Sequence, residues 1–480
     1  MRLLSPTPNR RRFIAGATAA TALFASPCWL LAATPTDSLQ VFVTDNKRRH
    51  QLAVNSVVDT PTSGRPPSDR IAIDVTSRFQ SVQGFGSALT DASCFLLSKM
   101  DPQARQKFLS ETYSPQAMGL NMGRAAIGSS DYSRNLFNYD DVSGDTEMKH
   151  FSVEHDQHYI LPMLREIRSL NPALFLLASP WSPPGWMKTY GSMLGGWMSA
   201  KYLEAYALYF AKFLRAYKEA GVRVDAITSQ NELETDQNGS MPATYWTPDM
   251  EQDFIRDYLG PRLKKEGLDT QIWLLDHNYN LWKRVRWQLQ DARLRSFVSG
   301  VAWHGYVGTP DMMSRLHDTD PDVPFYWTEG GPDVTDPQYA FDWVRWGRVF
   351  TEAMGNWCRG LITWNLMLDE NGDPNLGPFK CGGLVTLKQD QSIVESGQYW
   401  SLRHFSQHVQ RNSVRIASHS DASELLHIAF ENPDGSRVLV VTNAGAERTI
   451  SISQNRESAN ITVPPNSLST IVWGQSGNSR

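Results

Sequence analysis

Val224-Asp225-Ala226-Ile227-Thr228-Ser229-Gln230-Asn231-Glu232 begins as a short apolar run and stops on three polar side chains. A run of this length and composition reads as a strand covered on both faces. Seven others share its character: Ser81–Gly86, Gly119–Gly128, Ala173–Ser179, Thr270–Leu275, Val298–His304, Val323–Thr328 and Gly360–Leu366. Helix-spaced stretches lie between them, at 156–170, 201–220, 250–266, 282–295 and 340–354. Eight strand-then-helix units in one block predict an α/β fold, a (β/α)8 barrel over residues 79–408. A doubly wound open sheet is the runner-up, but Gly84-Phe85-Gly86 lacks the third glycine of a dinucleotide-binding turn.

Outside the barrel the period changes. Leu425–Phe430, Arg437–Asn443, Arg448–Ser453, Ala459–Val463 and Ser467–Trp473 are short and strand-like, with turns such as Pro433-Asp434-Gly435. They predict a small antiparallel β-sandwich over 409–480. The extended pieces Leu39–Thr44 and Arg70–Val75, within 34–78, are expected to complete its sheets, since chain termini often lie close together.

In such a barrel the active site forms at the carboxyl ends of the strands. Polar residues should then stand where each run stops, and they do: Arg124 with Ser129-Ser130-Asp131, Ser179-Pro180-Trp181, Gln230-Asn231-Glu232, Asp276-His277-Asn278, His304-Gly305-Tyr306, Glu329-Gly330-Gly331 and Trp364-Asn365. Glu232 ends the fourth run and Glu329 the seventh, roughly opposite each other across the mouth. Two facing carboxyls are the minimum for glycoside hydrolysis, one giving a proton to the leaving oxygen and one acting ionised. An isolated Glu is usually a salt-bridge partner or a cap, but two at strand ends are more often functional. Trp181, Trp303, Trp327 and Trp364 are candidate stacking faces, at least half of which core packing should claim. Arg124 and Asp131 suit sugar hydroxyls or each other, and Arg124 suits a catalytic carboxylate.

Composition narrows the class. The 480 residues are 41% hydrophobic and 20% charged with a net charge of −4, so neither disorder nor a basic nucleic-acid partner is expected. Asn9-Arg10-Arg11-Arg12-Phe13-Ile14 precedes an apolar run to Ala33, the pattern of a twin-arginine-type export leader over residues 1–33 and of a periplasmic or secreted product. A retained membrane anchor is the alternative, weakened by Gly16, Pro27 and Cys28. No later segment is apolar enough to span a bilayer. Beyond the leader stand Cys94, Cys358 and Cys381, an odd number that rules out a dense disulfide framework.

No metal or cofactor is expected. His155-x-x-His158 and His404-x-x-x-His408 have ligand spacing without a metalloprotease glutamate, and Asp369-Glu370-Asn371-Gly372-Asp373 misses the twelve-residue calcium loop. No Gly-x-Ser-x-Gly elbow is present.

Several blocks together resemble glycoside hydrolase family 30, which includes glucosylceramidases and microbial β-glycanases. They are Gln83–Asp91, Gly123-Arg124 through Ser133, Ala178–Lys188, Gln230-Asn231-Glu232, Thr328-Glu329 and Trp364-Asn365-Leu366. The resemblance implies a retaining mechanism on a barrel with an attached β-sandwich. It makes Glu232 the acid/base and Glu329 the nucleophile, with Asn231 bonding the sugar 2-hydroxyl. Arg124, Asp131, Trp181, His304, Tyr306, Trp364 and Asn375 would line the sugar site. Glu329-Gly330-Gly331 departs from the Glu-Ala-Cys common in its glucosylceramidases, as do Thr235 and Asp236 after the acid, which leaves the aglycone open. The expected function is a retaining β-glycosidase on β-glucosides, glucosylceramide-like glycolipids among them. A β-1,6-glucanase and a β-xylosidase or glucuronoxylanase are the alternatives within the family. A non-catalytic carbohydrate-binding protein and a metal-dependent hydrolase are the readings from other classes.

Overall fold

The structure, a computed structural model, describes residues 39–53, 57–58, 69–422, 424–455 and 457–474. The leader read at 1–33 lies outside them. Eight parallel strands close into a barrel: β1 Gly84–Ala88, β2 Met122–Ala126, β3 Phe175–Ser179, β4 Ala226–Thr228, β5 Gln271–Asn278, β6 Val298–His304, β7 Phe325–Glu329 and β8 Cys358–Thr363. Each apolar run supplies one strand, so the barrel is as expected and the open sheet is not. The first run is shifted, because Ser81 ends the long strand Asp69–Ser81 of the other domain.

The barrel interior is layered. Met122, Leu177, Ala226, Trp273, Ala302, Tyr326 and Ile362, from seven strands, form one buried apolar cluster. Trp273 and Tyr326 stack within it at 3.8 Å, nearly coplanar. Toward the strands' carboxyl ends the inward positions turn polar, with Arg124, Ser179, Thr228, Asp276, His304 and Thr328 all buried. The plug excludes water from below and leaves the polar layer open only to the loops above.

Outer helices follow the expected stretches with breaks. The 282–295 stretch divides into Trp282–Gln288 and Ala292–Arg295 because Asp291 caps the second, accepting from the Arg293 and Leu294 amides. The 250–266 stretch carries a wide turn at Phe254–Leu259, just ahead of Pro261, which has no N–H to give.

The second domain is a curled ten-stranded sheet. Its order is Gln51–Leu52, Gln40–Thr44, Ser467–Trp473, Arg437–Asn443, Leu425–Glu431, Val414–Ser420, Asp69–Ser81, Arg448–Gln454, Glu457–Val463, Val57–Val58. Amino- and carboxyl-terminal segments thus share one sandwich, around Val41, Ile71, Ile416, Leu439, Ile450, Ile461 and Ile471. The pairings are antiparallel, as expected, except that Arg448–Gln454 pairs parallel with Asp69–Ser81. That pairing joins distant chain segments, which no hairpin pattern in the sequence announces.

The histidine pairs read for ligand spacing serve packing. His404 bonds Thr470 at 2.8 Å and Thr44 at 2.9 Å, and His408 meets His50 at 3.0 Å, tying the last barrel helix to the sandwich. His155 bonds Asp91 at 2.9 Å and stacks on Phe137. Asp369 spends its carboxylate on the Asn371 and Asp373 amides of its own turn. Cys94, Cys358 and Cys381 are free. No helix among the described residues is long and apolar enough to cross a membrane.

The Gly84-Phe85-Gly86 motif is a packing requirement rather than a phosphate turn. A Cβ on Gly86 would lie 1.8 Å from the Met122 carbonyl oxygen of β2. Gly86→Ala should therefore cost about 1–3 kcal/mol or more in urea unfolding. Gly355→Ala, with nothing within 4 Å of the added carbon, is the control expected to leave the midpoint nearly unchanged.

Candidate active site

The site is built around a buried ion pair. Arg124, from β2, donates to Asp276 Oδ2 on β5 at 2.8 Å, and both side chains are fully buried. Asp276 also accepts from Ser179 (2.6 Å), Thr228 (2.7 Å), Thr328 (2.8 Å) and His304 Nε2 (3.0 Å). A bulge aims it inward: Ala302 pairs with Leu275 and Trp303 with His277, so Asp276 is the extra residue. Leu275 and Asp276 both adopt positive φ, 75° and 50°. Burial pushes the Asp276 carboxyl up, but Arg124 and His304 hold it far below the usual range.

Arg124 distributes its remaining donors. Nη1 reaches Glu329 Oε2 at 2.5 Å, Nη2 reaches Asn231 Oδ1 at 2.6 Å and Nε reaches Ser179. Its guanidinium lies 4.7 Å from the Trp181 ring and 5.5 Å from the Trp364 ring, and the two indoles stack 5.1 Å apart. Arg124 therefore sets one glutamate and both aromatic walls.

The two glutamates flank one imidazole. Glu329 accepts from the Tyr306 hydroxyl at 3.1 Å and lies 3.8 Å from His304 Nε2. Glu232 lies 3.2 Å from His304 Nδ1 and 3.5 Å from His277 Nδ1, and accepts from Gln237 Nε2 at 3.0 Å. Burial opposes charge on His304, yet Glu329, Asp276 and Glu232 surround it and raise it to about 9. These carboxylates favour the imidazolium, the form that donates on both nitrogens. Burial pushes Glu232 up, but His277 and His304 outweigh it and pull the carboxyl well down. Burial raises the Glu329 carboxyl, against the pull of His304 and Arg124 and with the push of Glu232.

These groups face a cavity of about 300 Å³, whose walls include Asp131, Trp181, Asn231, Glu232, Gln237, His277, Tyr306, Glu329 and Trp364. Asp131 is buried, and its Oδ1 has no partner within the protein. Burial, then Glu329 and Glu232, raise its carboxyl well above the ordinary value. An unpaired buried acceptor on a cavity wall suits a ligand hydroxyl.

Of the sequence candidates, Asp131, Trp181, Asn231, Glu232, Tyr306, Glu329 and Trp364 line the cavity. Arg124 and His304 lie behind the glutamates and bond them directly. Arg124 pairs with Asp276 and Glu329 rather than Asp131. Asn375 is not among the lining residues: its amide donates to the Phe379 carbonyl and its oxygen accepts from the Gly377 amide, within its own loop. Trp303 and Trp327 pack in the core, as expected of half the tryptophans. Asp276, His277 and Gln237 were not singled out. The first two stand at the end of the fifth run, a position that marks them, whereas Gln237 lies in a loop without a pattern. Glu232, His277 and His304 offer ligand atoms within 4.8 Å of one another.

The model of the glycosyl hydrolase family 30 TIM-barrel domain matches residues 82–409, and that of the family's beta sandwich domain matches 412–471. The chain belongs to glycoside hydrolase family 30. It is 32% identical to an endo-1,6-beta-D-glucanase of Neurospora crassa, over 84% of this chain and 88% of that one. It is 27% identical to the lysosomal acid glucosylceramidase of Mus musculus, over 89% and 87%. The solved structure of an endo-beta1,6-glucanase superposes with a TM-score of 0.82 at 29% identity, covering 92% of this chain and all of that one. This family 30 protein is therefore an enzyme acting on glycosides, and the non-catalytic reading falls. The departure at Gly330 has a local cause, since a Cβ there would lie 2.3 Å from the Trp327 indole.

Two outcomes test the buried network. Asp276→Asn should cost about 3–5 kcal/mol in urea unfolding, the loss for stripping one partner from a buried pair. His304 has its pKa raised on folding, from 6.5 to about 9. Its contribution is whole below pH 6.5 and disappears as pH climbs through about 9. Unfolding free energy should accordingly fall across that window, and His304→Gln should flatten the fall.

Proposed function

We propose that this enzyme is a retaining β-glucosidase-type hydrolase, with Glu329 as nucleophile and Glu232 as acid and base. The observation that carries the reading is that two carboxylates in different surroundings face one cavity across a single imidazole. Glu329 is held on one oxygen by Arg124 and on the other by Tyr306, which fixes it for attack. Glu232 shares its proton supply with His304. On substrate binding the Nδ1 proton passes to Glu232, leaving a carboxylic acid and a neutral imidazole.

The cycle then balances. Glu329 attacks the anomeric carbon and forms a glycosyl ester, while Glu232 gives its proton to the departing oxygen. Glu232, now ionised, takes a proton from water, and the hydroxide displaces Glu329 from the sugar. Asp131 and Asn231 bind sugar hydroxyls, and Trp181 and Trp364 meet the apolar face of the ring.

Among substrates we place β-1,6-linked glucan ahead of glucosylceramide, in line with the Neurospora relative and the solved endo-glucanase. The reading includes export by the arginine-led leader and action outside the cytoplasm.

A 2-deoxy-2-fluoroglucosyl probe should label the peptide bearing Glu329, and Glu329→Gln should lower kcat roughly 10⁴-fold. NMR should show the β-anomer of the released sugar first, and a chelator should leave the rate unchanged. Label on another residue, or the α-anomer first, would overturn the assignment. A panel of aryl β-glucoside, aryl β-xyloside, β-1,6-glucan and glucosylceramide ranks the substrates.

A further inference from the structure

Two exposed aromatic side chains stand on the loop that follows β3. Trp197 is 40% exposed and Tyr190 76%. Trp197 rests on Tyr245 with ring centroids 4.1 Å apart. The Tyr190 ring runs along Gly196, where an added Cβ would come within 2.9 Å of it.

This platform is continuous with the catalytic groups. Gln237 bonds Glu232, and its turn abuts the next loop, since a Cβ on Gly195 would lie 2.8 Å from Gly239 Cα. From there two segments run side by side. Leu194 bridges to Pro242, the Tyr245 amide donates to Gly196, and Trp197 bridges to Tyr245. Tyr245 follows the cavity residue Met241 by four positions, at most ~14 Å of chain, the span of a short oligosaccharide.

A buried lysine fixes the platform to the cavity wall. Lys188 Nζ donates to Ser182 Oγ at 3.0 Å, beside the wall residue Trp181. It also donates to the Met193 carbonyl at 3.0 Å and the Ala243 carbonyl at 2.6 Å, one on each platform segment.

We propose that Trp197 and Tyr245 form a leaving-group-side subsite that stacks sugar rings of a β-linked glucan chain beyond the bond cut. The inference rests on the assignment of Glu232 as the acid, because the acid stands on the leaving-group side. Sugar rings offer an apolar C–H face and a polar edge. The platform matches both, with the outer face of Trp197 backed by Tyr245, and exposed Asn238 and Ser240 on the neighbouring turn. An acyl chain would instead need a continuous aliphatic trough, and the turn between acid and platform is Asp236-Gln237-Asn238-Gly239-Ser240.

Trp197→Ala tests this at an exposed position, with Trp197→Phe as the conservative partner. The readout is kcat/KM on β-1,6-gluco-oligosaccharides of increasing length, divided by kcat/KM on 4-nitrophenyl β-glucoside. That ratio should rise with length in the wild type, fall about tenfold for long chains in Trp197→Ala, and recover in Trp197→Phe. An identical length response in Trp197→Ala overturns the subsite. So does a loss confined to glucosylceramide in mixed micelles, which would make the patch a lipid surface. A wild type that cleaves no β-glucoside fails the catalytic reading instead. Calorimetric binding of the same oligosaccharides to Glu329→Gln, with and without Trp197→Ala, then decides the platform separately.

Discussion

The Arg124–Asp276 pair is the constraint on which the catalytic end of the barrel is organised. Both charges are removed from water, a cost that only dense hydrogen bonding offsets. The compensation comes from all around the barrel: β2 supplies Arg124, β3 Ser179, β4 Thr228, β5 Asp276, β6 His304 and β7 Thr328 and Glu329. The polar layer is thus one network rather than a set of separate contacts. Glu329 takes its position from Arg124, and His304 takes its orientation from Asp276. Through His304 the same pair reaches Glu232, so neither glutamate can shift without disturbing the charge balance of the other.

The backbone is bent to serve this network. Glu232, Leu275, Asp276 and Asn365 all sit at positive φ without being glycine, at roughly 1–3 kcal/mol each. A regular β5 would place Asp276 in the ladder. The bulge rotates it into the barrel, and its carbonyl then accepts the Glu232 amide at 2.9 Å. A second register shift, where His304 pairs with Glu329 after Trp303 pairs with Trp327, brings Thr328 to Asp276. Local strain is held by the many bonds that converge on one carboxylate.

These bends explain what the sequence disclosed and what it withheld. Eight apolar runs with polar ends were legible because burial on both faces writes itself into composition. The paired glutamates were legible because strand ends in a barrel converge. Asp276 was visible at its run's end, but a one-residue bulge leaves no period to read, so its place at the centre was not. Asn375 stands in a neighbourhood that matched a site pattern, while its amide bonds its own loop, a use that composition does not disclose. Trp303 and Trp327 share composition with Trp181 and Trp364 and differ only in which way they face.

The division of labour between the two carboxyls also differs from what paired acids alone imply. Two acids are normally told apart by one lying in an apolar pocket that keeps it protonated. Here Glu329 is buried and Glu232 partly so, and the carboxylates around His304 favour a proton on the base between them. His304 is charged because three carboxylates surround it, and two of its neighbours use it differently. For Asp276 it is a hydrogen-bond partner on Nε2, at 3.0 Å. For Glu232 it is a donor 3.2 Å away on Nδ1, and in the proposed cycle it supplies the proton that Glu232 passes on. In the proposed cycle the acid is therefore a Glu–His couple, and Asp276, by taking Nε2, leaves Nδ1 to Glu232.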